Sequence, residues 1–343
     1  MNLLKKFKNP RAQHNFEGRT CSITAVGSYV PSRVLTNAEL EKMVDTTDEW
    51  IISRTGIKER RIAAADEFTS DLASKAALLA MERANITAEQ IDLIIVATIT
   101  PDMPFPSTAC LVQQKIGATR AAAFDIEAAC SGFIFGLEIG QQFIMSRTYE
   151  TVLVLGAEKL STIVNWKDRN TCVLFGDGAG AAILQHRPEA HGLLTACMGS
   201  DGSKADLLSM PGGGSRCPAS VESLASGQHF LRMEGKETFK SAVNAMYNAA
   251  QEALRRCEID ITQIKCVIPH QANRRIIDAV GERLEVTPEQ LFINLEKYGN
   301  TSAASVAIAL DEAVTAGRIH RGDLVLLVVF GAGLTWGAAV IEW

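Results

Sequence analysis

Apolar and polar positions follow two different rhythms along this chain. Short, largely apolar runs at 22–26, 93–97, 122–126 and 152–155 predict strands. Between them, segments 70–84, 108–116 and 132–145 carry apolar residues at helical spacing and predict helices. The alternation predicts α/β layers. A Gly- and Ser-rich stretch, 209–227, is followed by a second series: helix 239–255, strand 267–269, helix 274–284, and closing strands through Val325 and Val340.

The two series echo each other. ANITAEQIDLIIVAT (84–98) aligns with CEIDITQIKCVIPHQ (257–271), pairing Ile86 with Ile259, Gln90 with Gln263 and Ile91 with Ile264, each 173 positions on. A long helix precedes each copy and a buried strand follows it, which predicts a duplicated βαβαβ-type unit. The expected organisation is a flexible extension (1–19), an N-terminal half (20–190) and a C-terminal half (191–343). Carried further, the overlay puts Cys130 of AACSG and Asn300 of YGNTSAAS at equivalent strand-to-helix junctions, 170 positions apart. In open α/β sheets, ligands bind at such junctions.

Segment 132–145 is apolar on nearly all faces, as a buried helix is. Gly132, Gly136 and Gly140 recur every four residues, and the expected partner for that smooth stripe is the helix opened by Ser302, Ala303 and Ala304. A membrane dimer seam is the rival reading, opposed by Glu138, Gln141 and Gln142. A thiol at the mouth of this helix meets unpaired N–H groups and the positive dipole end, and both favour thiolate. Taken singly, Cys130 also reads as an inert packing atom, His270 of IPHQANRR as a satisfied structural histidine, and Asn300 as a helix cap. Together, a nucleophile, a proton handler and a neutral donor at three junctions of one fold suit acyl transfer through a thioester.

Composition narrows the class. The 343 residues are 47% hydrophobic and 21% charged, and no uncharged apolar run reaches the ~18 residues of a membrane span. A net charge of -5 leaves no overall footprint for nucleic acid. The eight cysteines show no CxxC and no metal-ligand spacing, so reduced cytoplasmic thiols are expected. The start, MNLLKKFKNPRAQHN, lacks the features of an export signal and reads as a flexible tail, with a basic arm as the alternative.

AACSGF, FGDGAGAAIL, PHQANRRI, GNTSAASVAIALDEA, FGAGLTWGAAVIEW and VDTTDEWIISRTGIKERRI, spread from Thr20 to Trp343, resemble β-ketoacyl-acyl carrier protein synthase III of the thiolase superfamily. The resemblance implies a five-layer αβαβα thiolase-like fold and no cofactor, the acyl-CoA being a substrate. It implies that Cys130 takes an acyl group from acyl-CoA, that malonyl-acyl carrier protein then enters, and that His270 and Asn300 hold its thioester oxygen during decarboxylation. Backbone N–H groups of Cys130 and Ala332 would form the oxyanion hole, with Ala332 serving provided its φ is negative. CoA would meet Trp50, Arg54, Arg169, Phe239 and Asn273, with adenine between Trp50 and Arg169, although Trp50 alone would read as ordinary packing.

Lys240, Gln271, Arg274, Arg275 and Arg283 would receive the acidic carrier protein; a solvated helix face is the alternative, and Glu282 departs from the family's basic pattern. Phe105 would close a partner's acyl pocket across a homodimer. FGDGAGAA lacks the Lys-Ser/Thr ending of a phosphate loop and reads as a Gly-permitted bend and strand. Two other readings stay open: a synthase III-like acyltransferase of secondary metabolism with another acceptor, and a Cys-His-Asn thioester hydrolase. No membrane or nucleic-acid partner is expected, and acyl chain length is not legible.

Overall fold

The computed structural model describes residues 19–188 and 192–343. The flexible tail expected for 1–19 lies, except for Arg19, outside the described residues, as does the boundary placed at 190. The four apolar runs become strands β1 (Ser22–Tyr29), β2 (Leu93–Ala97), β3 (Ala122–Ile126) and β4 (Thr151–Glu158), and the strand read in FGDGAGAA becomes β5 (Gly178–Gln185), in one sheet of order β1-β5-β4-β2-β3. Strands β6 (Gly192–Ser200), β7 (Cys266–Pro269), β8 (Leu324–Gly331) and β9 (Thr335–Glu342) form a second sheet of order β7-β8-β9-β6. Every residue of β2 is buried, as its unbroken LIIVA requires of a parallel strand covered on both faces.

The helices are α1 (Asp48–Thr55), α2 (Thr69–Ala84), α3 (Thr108–Ile116), α4 (Gly132–Met145), α5 (Gly235–Cys257), α6 (Arg274–Leu284) and α7 (Ala304–Thr315). Helices α2 and α3 cover the outer face of the first sheet, and α5 and α6 cover the second. Between the sheets lie α4 and α7, packed in a shared core with both. The layers run αβαβα, as the sequence leads one to expect.

The sequence echo has a local physical cause. Helix α2 ends on Asn85 (φ 54) and α5 on Glu258 (φ 56), both left-handed. Each is followed by a single tight turn, Ala88–Gln90 and Ile261–Gln263. The Gln90 side chain accepts the Thr87 N–H at 2.9 Å, and Gln263 accepts the Asp260 N–H at 2.8 Å. The sheets match strand for strand, β1, β2, β4 and β5 against β6, β7, β8 and β9. The counterpart of β3 shrinks to one parallel bridge, Val267 to Leu291. Cys130 follows β3 and Asn300 follows that bridge.

The glycine stripe of α4 packs differently from expectation. A Cβ on Gly136 would meet Val154 at 2.7 Å and one on Gly140 would meet Leu184 at 2.7 Å, so the stripe lies on the first sheet; only Gly132 comes near Ala303. The reason is that the sheet, not α7, offers a continuous flat surface to α4. Helix α7 is received instead by β4 and β5, where a Cβ on Gly156 would sit 2.2 Å from the Ala303 carbonyl oxygen. Gly156→Ala is expected to cost roughly 1–3 kcal/mol by overpacking, measured as a lower urea midpoint at unchanged m-value. An unaltered midpoint would mean that the α7 contact yields freely.

Candidate active site

The chain leaves β3 through Ala129, held at φ 45, and makes one tight turn, Ala129–Ser131, into α4. A non-glycine residue in the left-handed region is strained, and the neighbouring packing holds it there. A Cβ on Gly331, at the end of β8, would lie 2.7 Å from Cys130 N, so the β8–β9 turn presses directly on the cysteine backbone. The Thr335 hydroxyl sits 2.9 Å from the Ala128 carbonyl and ties the same turn down. Cys130 is thereby buried at the mouth of α4.

His270 follows β7 directly, and its N–H donates to the Val328 carbonyl at 2.7 Å. Its ring Nδ1 lies 2.9 Å from Ser305 Oγ, which also accepts the Gln271 N–H at 2.8 Å. The Ser305 hydroxyl, with one proton and two lone pairs, fits either ring tautomer; when it donates to Nδ1 the ring proton sits on Nε2. Asn300 is fixed by backbone bonds to Leu174 and Gly176. Its Oδ1 accepts the Ser302 N–H at 2.8 Å, which closes a local turn and is not the expected helix cap, because α7 begins after Ala303 with no side-chain cap. Cys130, His270 and Asn300 line one cavity of about 390 Å³.

Burial controls the electrostatics. It pushes the Cys130 thiol from an ordinary 9.0 up to about 12, partly offset by the Ser302 hydroxyl. A helix N-terminus contributes at most about 2 kcal/mol, near 1.5 pH units. The expected preference for thiolate is therefore outweighed, and the resting group is a thiol. Burial also drives His270 from 6.5 down to about 3, so its imidazole is neutral.

Trp50, Arg54, Phe239, Asn273 and Arg275 line the same cavity. Arg54 and Arg169 each stand 5.1 Å from the Trp50 ring centroid, so the space expected for adenine holds the Arg169 guanidinium, which also donates to the Asp45 carbonyl at 2.7 Å. Asn273 caps α6 through the Arg275 N–H and donates to the Arg54 carbonyl at 3.0 Å, so its amide joins α6 to α1. Lys240, Arg274, Arg275 and Arg283 are exposed on α5 and α6, with Arg274 paired to Asp278 and Arg283 stacked over Tyr247 at 4.2 Å. Gln271 does not belong with them. It is 2% exposed, donates to the Pro269 carbonyl at 2.7 Å and accepts the Asn294 N–H at 3.0 Å, so it is an internal brace that no carrier protein can touch. Ala332 has a negative φ, and Phe105, 84% exposed, projects from the loop before α3.

Sequence reasoning missed three groups around the thiol. Ser302 and Ser305 lie inside the quoted YGNTSAAS, and Glu158 ends the apolar strand β4 with its carboxyl fully buried. A lone charge closing an uncharged strand was the available signal. Among the described residues, no group of three or more His, Cys, Asp or Glu is placed to hold a metal, and no helix is long and apolar enough to cross a membrane.

Comparison with known proteins follows the same lines. Residues 124–202 match the family described as 3-Oxoacyl-[acyl-carrier-protein (ACP)] synthase III, and residues 254–343 match its C-terminal counterpart. Beta-ketoacyl-[acyl-carrier-protein] synthase III of Caldanaerobacter subterraneus subsp. tengcongensis is 58% identical over 94% of this chain and 97% of its own. The crystal structure of 3-oxoacyl-[acyl-carrier-protein] synthase III from Aquifex aeolicus VF5 is similar with a TM-score of 0.88 at 48% identity, covering 94% of this chain and 100% of that one. The priming β-ketosynthase from the R1128 polyketide biosynthetic pathway has a TM-score of 0.88 at 36% identity, over 95% and 97% of the two chains.

The neutral His270 has a consequence for stability. The unfolded imidazole gains a proton below about 6.5, whereas the folded one stays neutral down to about 3, so acidification through 6.5 favours unfolding. His270→Asn is expected to flatten the fall of stability between pH 6.5 and 4 by up to about 1.4 kcal/mol per pH unit, read from urea midpoints against pH. Parallel curves would mean that the folded imidazole takes up the proton.

Proposed function

The chain belongs to the 3-oxoacyl-[acyl-carrier-protein] synthase III family, acyltransferases of thiolase-like fold, and on that premise we propose that it initiates type II fatty acid synthesis. It condenses an acyl-CoA primer, acetyl-CoA, with malonyl-acyl carrier protein to give a 3-oxoacyl-acyl carrier protein. The observation that carries this reading is the convergence of a thiol, a neutral imidazole and the Asn300 amide on one cavity, where His270 Nε2–H and the Asn300 NH2 would serve as donors.

Cys130 Sγ bonds to the acyl carbon and the C–S bond to CoA breaks. The malonyl thioester then enters, and its carbonyl oxygen accepts from His270 and Asn300 as CO2 departs and charge builds on that oxygen. Two preorganised donors in a dry site lower this barrier, and removing one such donor typically costs about 10²–10³-fold. The resulting carbanion attacks the acyl-cysteine, whose oxyanion is held by the N–H groups of Cys130 and Ala332. No proton leaves carbon in this sequence, so a neutral amide beside a neutral imidazole is sufficient.

A hydrolase needs a base to draw a proton from water, and burial, which pushes His270 down to about 3, makes its imidazole a weak one. A specialised acceptor has support in the R1128 priming β-ketosynthase, at 36% identity against 58% for the Caldanaerobacter synthase. In our reading the halves 20–190 and 191–343 are duplicated units, one supplying the thiol and the other both donors. The exposed Phe105 supports a homodimer in which it closes the partner's acyl pocket. All eight cysteines are free, in keeping with the cytoplasm, and the chain's own thiol carries the acyl group without a cofactor.

Mixing with acetyl-CoA is expected to add one acetyl group to the wild type and none to Cys130→Ala by intact mass, and malonyl-acyl carrier protein should discharge the adduct as acetoacetyl-acyl carrier protein. An adduct on Cys130→Ala would remove the central claim; one that malonyl-acyl carrier protein leaves in place would favour the specialised acceptor. Asn300→Ala is expected to acylate normally yet to decarboxylate malonyl thioester about 10²–10³-fold more slowly, and equal loss of both half-reactions would reassign its role. Arg275→Glu should raise KM for the carrier protein about 10-fold at low salt, with that for acetyl-CoA little changed. No change would return the basic face to ordinary solvation.

A further inference from the structure

Arg60 is the bulkiest fully buried side chain among the described residues, and no carboxylate pairs with it there. A guanidinium taken out of water without an anion is costly, so its place in the fold calls for a reason. Its fork is spent on three neutral acceptors. Nη1 donates to the Leu35 carbonyl at 3.2 Å and to Asn37 Oδ1 at 2.8 Å, and Nη2 donates to the Val173 carbonyl at 2.7 Å. The first two lie close by, since Leu35 faces Arg60 across the paired strands Arg33–Thr36 and Glu59–Ile62, and Asn37 follows them. The third lies 113 positions away.

Val173 opens a short strap, 173–177, whose residues Val173, Leu174 and Phe175 line the cavity beside Asn300. One edge of the strap is held by the hairpin: Arg60 binds the Val173 carbonyl, and the Arg61 carbonyl accepts the Asp177 N–H at 2.8 Å. The other edge holds Asn300. The Leu174 carbonyl accepts the Asn300 N–H at 2.8 Å, and the Gly176 N–H donates to the Asn300 carbonyl at 3.0 Å, so Phe175 and Asn300 form a parallel bridge. The stem of Arg60 packs against the same pair from below. A Cβ on Gly176 would lie 3.1 Å from Arg60 Cβ, and one on Gly299, at φ 63, would lie 3.5 Å from it.

The other two reacting groups stand on different supports. His270 is held by β8 and Ser305, and Cys130 by the turn into α4 on which Gly331 presses. None of the hydrogen bonds of Arg60 reaches those supports.

We propose that Arg60 is a positioning residue for Asn300: by fixing the Val173 carbonyl it holds the strap, and with it the amide, where charge builds on the malonyl thioester oxygen. The inference rests on the donor role of Asn300 given above. It divides the two half-reactions, since decarboxylation depends on Arg60 and acyl transfer to Cys130 does not. The working part is the planar fork, which spans Asn37 and Val173 together and which the compact ammonium of lysine does not reproduce.

The test compares the half-reactions in Arg60→Met, which keeps an unbranched stem and loses the fork. Acetylation in a single turnover at saturating acetyl-CoA, read by intact mass, is expected to stay within about threefold of wild type, while CO2 release from malonyl-acyl carrier protein falls about 10- to 100-fold. Arg60→Lys should show the same division. On the Asn300→Ala background, Arg60→Met should slow decarboxylation no further, because a residue that acts through Asn300 has nothing left to position. Loss of both half-reactions in equal proportion, a full additional loss on Asn300→Ala, or decarboxylation at the wild-type rate in Arg60→Met overturns the proposal and leaves Arg60 a packing role. If Arg60→Met does not fold, Arg60→Lys decides by the same three criteria. An Asn300→Ala enzyme that itself decarboxylates at the wild-type rate overturns the donor reading, a result distinct from an impaired Asn300→Ala beside an unimpaired Arg60→Met.

Discussion

The seating of α7 against the glycine-paved face of β4 and β5 governs where every reacting group can lie. At Gly156 the Ala303 carbonyl occupies the position a β-carbon would need, so the start of the helix has little freedom to shift. The six residues 300–305 immediately before and inside that start carry most of the polar logic of the site. Asn300 presents its amide, Ser302 is buried with its hydroxyl unpartnered, and Ser305 bonds the His270 ring. Displacement of this one stretch would disturb partners on three other elements at once. Backbone-to-backbone packing therefore positions the chemistry more firmly than side-chain interdigitation does.

The same burial sets the charge state. Thiol and imidazole are both held in their uncharged forms, and no cation neutralises Glu158 among the described residues. A substrate carboxylate that enters such a place exchanges water for apolar walls and neutral donors, and its departure as CO2 removes the charge that is least at ease there. A site rich in fixed cations would hold the carboxylate in its starting state. Neutrality is thus a property of the reacting thiol and imidazole, set by their depth in a two-sheet core, while the cations Arg54 and Arg275 also line the cavity.

Most of the fold was legible because both sheets are covered on two faces, so that strands read as unbroken apolar runs and helices as their periodic neighbours. The repeated turn was legible through Gln90 and Gln263, whose side chains close the same loop. Depth was not legible. Gln271 stands two residues from Asn273 in a polar motif, yet one is an interior brace and the other lines the cavity, because Gln271 lies in the buried turn after β7 whereas Asn273 caps the start of α6. Arg60 reads as a surface charge in ERRI, but its guanidinium is buried and serves the Leu35 and Val173 carbonyls and Asn37. Glu158 was overlooked for the same reason: local pattern assigns charge to the surface, and only the tertiary fold says where a strand ends inside.

The stack at the cavity mouth bears on how the enzyme would cycle. Because Arg169 already rests on the Trp50 ring, an arriving purine exchanges one flat partner for another and adds little net stacking. In the proposed CoA site the nucleotide end would then be held loosely, with the guanidinium placed to displace it. In a double-displacement scheme that threads two phosphopantetheine arms in turn through one passage, slow departure of the first product would stall entry of the second substrate. A self-occupied mouth favours quick turnover of the passage over tight capture of the donor.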